Sequence, residues 1–206
     1  RLDRLLGLNR VPPSVPREVG RTSGNVSLWV EGTITEEARV DRRLQPPNLF
    51  RWNQQKKIMV VFENLIGNVD RNQGNVLIDR KWRLWFIDHT RAFITTPELV
   101  NSGALSRCER RLYDALENLD PEMVRRELSP FLNGPQIDAV LVRRDLILQR
   151  LQQGGLLPEN VAARRDEDLQ VGLRAVVRAL GGQPALIGRT EFGRGARIGR
   201  CRIVGE

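Results

Sequence analysis

Asp70, Asn75 and Asp88 stand five and thirteen residues apart in the stretch LIGNVDRNQGNVLIDRKWRLWFIDH, residues 65–89. Oxygen-bearing side chains of these types can take a magnesium ion and a phosphate chain. Magnesium takes hard oxygen ligands in octahedral geometry, and one carboxylate and one amide oxygen, completed by phosphate oxygens and water, satisfy it. Asp88 and Asn75 could supply those two oxygens. Phosphoryl transfer needs little covalent help, so a loop carboxylate has mainly to orient an acceptor hydroxyl and take its proton late. Asp70 is the candidate for that catalytic role. Gly74 is expected to relieve crowding where backbone approaches a nucleotide, and Leu77 and Ile87 to form the apolar floor beneath its base. Asn68, Asn72 and Asp79 fall to loop and turn duty. His89 reads either as a metal ligand or as a packed structural histidine, and Arg71 either contacts a phosphate or ties the loop to the segment after Asp88.

These residues need a scaffold that ends elements at the right places. Residues 51–66 carry apolar side chains at three- and four-residue intervals (Trp52, Ile58, Met59, Phe62, Leu65, Ile66), predicting a helix that Gly67 terminates. Residues 75–78 and 82–87 then predict two short strands joined by Asp-Arg-Lys, a hairpin whose second strand delivers Asp88 at its carboxyl end. Trp82 and Trp85 either cover the core there or stack on bases. Upstream, residues 1–10 read as the end of a helix. VPPSVPREVG suits an edge strand, because its prolines remove ladder donors. NVSLWVEG alternates as a half-buried strand, with TSG as the turn before it and a polar linker after Gly32. Downstream, helices are predicted over 104–119, from Asp120-Pro121 (a capping residue followed by proline), over 136–153, and over 167–180. The tail from Pro184 predicts short strands around a turn.

The 206 residues, 40% hydrophobic, suffice for one domain with a real core. The net charge of +8 comes almost wholly from arginine, lysine occurring only at positions 56, 57 and 81. That balance fits either polyanionic partners or a solvated basic surface, and the tail residues Arg189, Arg194, Arg197, Arg200 and Arg202 divide the same way. Cys108 and Cys201 are too few and too far apart for a disulfide framework or a zinc cluster, so a reducing, cytoplasmic setting is expected. No run predicts a transmembrane segment. DNA is not a predicted partner.

DRNQGNVLID followed by WFIDH resembles the catalytic loop and metal segment of the phosphatidylinositol 3- and 4-kinase-like branch of the protein-kinase-like superfamily, where the loop reads D-R-H-x-x-N and the metal segment I-D-F-G. It is also similar to bacterial kinase-like proteins and to secretory-pathway kinases with LIGN-x-D-R ahead of the loop. The resemblance covers about 150 of the 206 residues, with specific motifs in residues 62–93. It implies an α+β, protein-kinase-like fold: remnant N-lobe strands and hinge over 1–32, a helical C-lobe over 33–155, and a C-terminal helix with a small β-rich tail over 156–206. It further implies an ATP- and magnesium-dependent phosphotransferase acting on a hydroxyl of a protein, lipid or small molecule, with the backbone around Val30 and Glu31 contacting the adenine. Asn72 replaces the family's His, so Asp70 would act alone. His89 replaces the Phe after the metal Asp, without a following Gly. The family's glycine-rich loop and strand lysine are missing, since no lysine precedes Lys56. The chain, which begins at Arg1, is thus expected to be part of a longer, active protein and to have weak or no activity itself. The rival expectation is a non-catalytic pseudokinase or an Arg-rich binding module for an acidic partner.

Overall fold

A computed structural model describes residues 1–19, 22–105, 107–154 and 201–204. The chain is a mixed α+β protein whose contacts group into two compact units, residues 1–12 with 30–161 and residues 13–29 with 162–206. The expectations placed on residues 167–180, and on the tail up to residue 200, lie outside the described residues.

The larger unit is built around two long helices that pack on each other, Leu49–Ile66 and Gly134–Gly154. After a short α1 (Leu2–Leu5) come β3 (Ile34–Thr35), α2 (Glu36–Asp41) and α3 (Leu49–Ile66); the hairpin β4 (Val76–Ile78) and β5 (Leu84–Phe86) follows, then α4 (Arg110–Glu117), α5 (Pro121–Leu128) and α6 (Gly134–Gly154). Asn48 caps α3, its Oδ1 accepting from the Arg51 amide at 2.9 Å, and Gly67 ends it with φ +60 and ψ +47, the left-handed turn that glycine adopts without a side-chain penalty. Between these stops Trp52, Ile58, Val61, Phe62, Leu65 and Ile66 are buried. Ile137, Val140, Ile147 and Leu151 of α6, Leu112 and Leu116 of α4, and Val124 and Leu128 of α5 join them in one core. Asp120 caps α5 through the amides of Glu122 and Met123, with Pro121 at the first helical position. The residues before Pro13 belong here, Leu2 and Leu6 being buried and Arg10 lending its carbonyl to the Phe86 amide at 2.8 Å.

Three expectations are corrected. The polar stretch after Gly32 is not a linker: Ile34 and Thr35 pair with Ile78 and Leu77, and the Thr35 hydroxyl accepts from the Ala38 amide at 3.1 Å to start α2. That helix packs beside the turn Gln73–Asn75. The helix expected over 104–119 begins only at Arg110; Leu105 and Cys108 are both buried, but from a chain that is not helical there. Burial also pushes the Cys108 thiol up to about 12, which makes it a packing residue rather than a nucleophile. Thr22 to Gly24 lie within β2 (Thr22–Leu28) rather than forming a turn.

The smaller unit holds an antiparallel sheet in the order β1-β2-β6, where β1 is Ser14–Val19 and β6 is Cys201–Val204. Pro16 sits on the edge strand opposite Asn25, where its missing N–H costs no ladder bond.

The hairpin turn is tied by Asp79. Its Oδ1 accepts from the amides of Lys81 and Arg83 at 2.8 and 3.0 Å, and its Oδ2 from Arg83 Nε at 2.7 Å and the buried Trp85 Nε1 at 3.2 Å. Burial alone would raise the Asp79 pKa, but the donors from Arg83 and Trp85 outweigh it and hold the carboxyl below its ordinary value. Asp79→Ala is expected to cost about 2 kcal/mol in urea unfolding, because the Trp85 indole loses its acceptor in a buried position. The carboxylate's contribution is present above the ordinary carboxylate range and fades as pH falls through the lowered pKa, so the gap between wild type and variant should narrow in acid.

Candidate functional site

The loop that follows Gly67 is held from below by α3. Asn68, fully enclosed, donates from Nδ2 to Glu63 Oε2 at 2.6 Å and accepts the Asp70 amide on Oδ1 at 3.1 Å. This aims the Asp70 carboxylate outward. Its side chain is 46% exposed, with Arg91 Nε 3.7 Å from Oδ2, so it is open to solvent.

Asn75 ends the turn Gln73–Asn75, which Asn72 caps by accepting the Gly74 amide at 2.9 Å. A Cβ on Gly74 would crowd Asn72 Oδ1 at 3.2 Å, so its smallness serves the turn itself. The Asn75 side chain donates from Nδ2 to the Asp70 carbonyl at 3.3 Å, which ties the end of the turn back to the start of the loop. The Asn75 carbonyl in turn accepts the Ile87 amide at 3.2 Å, extending the β4–β5 ladder by one pair and setting Asn75 beside the residue that precedes Asp88. All three expected chemical residues thus belong to one connected stretch of backbone.

Asp88 is exposed and has φ +55, a left-handed conformation that Asp tolerates better than most residues. Its Oδ1 accepts from Thr90, from Oγ1 at 2.7 Å and from the amide at 3.3 Å. The Thr90 hydroxyl bond is the chief reason the carboxyl is held below its usual value, with slight burial opposing and the Thr90 amide, His89 and Arg71 reinforcing it. Asp88 is therefore ionised at neutral pH, as a cation ligand must be. Among the described residues no group of three or more His, Cys, Asp or Glu could hold a metal ion. The protein's share of a magnesium shell would be the Asp88 carboxylate and the Asn75 amide oxygen, a hard pair that fits a cation completed by phosphate and water.

Leu77 and Ile87 are half-buried and lie on the same face of the hairpin, since Leu77 pairs with Trp85 and Trp85 and Ile87 are two apart on one strand. Val30 and Glu31 sit in the irregular link before β3, where Val30 is half-buried and Glu31 exposed; the Val30 carbonyl accepts the Thr33 hydroxyl at 3.0 Å. Trp82 meets Trp52 edge-on at 5.9 Å and Trp85 is buried, so both cover the core.

Sequence reasoning left Arg71 open between two roles, and the contacts favour the tie. Its Nη1 donates to the carbonyls of Asn75 and Ile87, the latter at 2.8 Å, and its Nη2 lies 3.0 Å from His89 Nε2. Because a guanidinium only donates, that contact assigns the imidazole proton to Nδ1. Burial drives the His89 pKa down to about 4, the Arg71 charge adding to it and Asp88 opposing, and the ring packs edge-on to Phe62 at 6.0 Å. His89 is thus a neutral structural histidine. Glu63, 5% exposed, completes the layer at 2.8 Å from Arg71; burial pushes its carboxyl up, opposed by Arg71 and Asn68.

The residue that sequence reasoning missed is Arg143. It is 0% exposed, and its guanidinium donates to the Leu65 carbonyl at 3.0 Å, to Ile94 at 3.1 Å and to Thr96. It closes the carboxyl end of α3 just before the loop. The available signal was an arginine at a core-facing interval, between Val140 and Ile147 on α6.

Compared with known proteins, the chain matches no protein-family model and no curated protein sequence. No helix among the described residues is long and apolar enough to cross a membrane.

Proposed function

We propose that the protein is a kinase-like phosphotransferase site that binds magnesium and ATP and passes a phosphoryl group to a hydroxyl acceptor. The observation that carries this reading is the Asn75–Ile87 ladder bond of 3.2 Å, which seats the amide of Asn75 next to the segment bearing the ionised Asp88, while Asn75 Nδ2 reaches back to the Asp70 carbonyl. Asp88 and Asn75 would hold the metal. When bound, magnesium supplies charge neutralisation on the phosphate chain and fixes its direction. The solvent-open Asp70 carboxylate would orient the acceptor hydroxyl and receive its proton, and Leu77 with Ile87 would offer an apolar face to the base. The acceptor class, among protein, lipid and small-molecule hydroxyls, stays open on this reading.

The alternative is a non-catalytic binding module. As a pseudokinase or an Arg-rich module for an acidic partner, it draws on the net charge of +8, carried almost wholly by arginine.

Calorimetric titration of ATP into the chain, with magnesium and then with EDTA, tests the site. Binding is expected only with magnesium and about tenfold weaker in Asn75→Ala, one oxygen ligand having been removed. Binding of equal strength in EDTA, or unchanged in the variant, would overturn the metal assignment.

A further inference from the structure

The Arg71 guanidinium touches both chain segments that carry the expected metal ligands. One nitrogen, Nη1, bridges the carbonyl of Asn75 itself and the carbonyl of Ile87, the residue before Asp88. The other terminal nitrogen is engaged by His89 at 3.0 Å and by Glu63 at 2.8 Å, and the Arg71 side chain is only 11% exposed. With both terminal nitrogens committed inward, the group faces away from a ligand in solvent. A guanidinium presents its donors in a rigid planar fork, whereas a lysine ammonium is a point charge on a flexible stem. The two N–H bonds of Nη1 diverge in the guanidinium plane, which the Nη2 contacts hold in place, and so set how far apart the two carbonyls, and the ligands on their chains, can stand. His89 contributes a lone pair that Phe at the same place would lack, while still packing on Phe62.

We propose that Arg71 is a positioning residue: by clamping the Asn75 and Ile87 carbonyls, it fixes the separation of Asn75 and Asp88 at a value that suits magnesium. The inference rests on the magnesium-site reading above. It makes a demand that mere folding support does not. Magnesium requires near-ideal octahedral geometry with short bonds, whereas calcium accepts longer bonds and irregular shells. A loosened clamp should therefore harm magnesium more than calcium.

The test is calorimetry on the full 206-residue chain with ATP, adding magnesium or calcium, in wild type, Arg71→Lys and His89→Phe. In Arg71→Lys the magnesium affinity is expected to fall about tenfold or more, the usual effect of removing a group that orients metal ligands, and the calcium affinity by no more than about threefold. His89→Phe keeps the ring packing and removes one acceptor, so its magnesium-to-calcium preference should fall in the same direction by a smaller factor. It decides the matter if Arg71→Lys does not fold. Equal losses for both cations, or an unchanged preference, would overturn the positioning role while leaving the metal site standing. A wild type with no magnesium-dependent binding of ATP would instead remove the site and this inference with it.

Discussion

Arg143→Ala is expected to lower stability by about 4 kcal/mol, measured as a shift in urea unfolding followed through Trp52, Trp82 and Trp85. The guanidinium satisfies three carbonyls, from Leu65, Ile94 and Thr96, inside the protein. Truncation leaves those oxygens without a donor and opens a cavity against α3, and the two penalties together reach the upper range seen for single substitutions. Burial lowers the pKa of Arg143, yet an arginine keeps its charge, and carbonyl oxygens at the carboxyl end of a helix are a favourable place for it. Gly67 is the other half of this arrangement. A Cβ there would lie 2.7 Å from the Arg143 guanidinium carbon, and the φ of +60 already disfavours any side chain. A side-chain end is often free to yield, but this one is pinned by its carbonyls. Gly67→Ala should therefore cost about 3 kcal/mol in the wild type and about 1 kcal/mol in the Arg143→Ala background, where only the backbone penalty remains. Strictly additive losses in this double-mutant cycle would show that the two residues do not share the contact.

Asp88→Asn is expected to reduce magnesium-dependent ATP binding about a hundredfold with almost no change in stability. Asn tolerates the left-handed backbone that Asp88 adopts, and its Oδ1 can accept the same two bonds from Thr90. The fold thus loses nothing larger than about 0.5 kcal/mol, the ordinary scale of a surface exchange. What disappears is the negative charge facing a divalent cation, a loss of about 2.7 kcal/mol in binding on a scale where 1.4 kcal/mol is tenfold. Asp88→Ala would mix both effects, since it also removes the Thr90 turn. Calorimetry paired with a thermal melt separates them, and an Asp88→Asn protein that still binds with wild-type affinity would exclude Asp88 as a ligand.

Much of this scaffold is legible in the sequence because local and long-range signals agree. The apolar interval from Trp52 to Ile66 stops at a glycine that the backbone needs, and Asp120-Pro121 begins a helix by the capping chemistry its residues carry. The hairpin follows from alternation around Asp-Arg-Lys, and the intervals among Asp70, Asn75 and Asp88 follow from the turn and ladder between them. Other parts carry no periodic signal. A two-residue strand such as Ile34–Thr35 has no period to detect, and its only clue was Thr35 ahead of two glutamates, a capping position rather than a linker. Leu105 and Cys108 have helical spacing yet are buried from irregular chain, because core demand for apolar groups does not depend on how the backbone delivers them. Arg143 was hidden among thirty-three cationic residues, and its role depends on carbonyls far away in sequence that periodicity cannot reveal.

The strand order β1-β2-β6 has a consequence for synthesis. Leu28 pairs with Cys201, so the partner for one edge of β2 emerges from the ribosome about 170 residues after β2 itself. Until then the smaller sheet is a lone hairpin with an open row of backbone donors and acceptors, marginal in water and prone to pair with whatever strand it meets. Closure of this sheet is therefore a late event in the life of each chain, and the edge of β2 is most exposed to other strands in the interval before it.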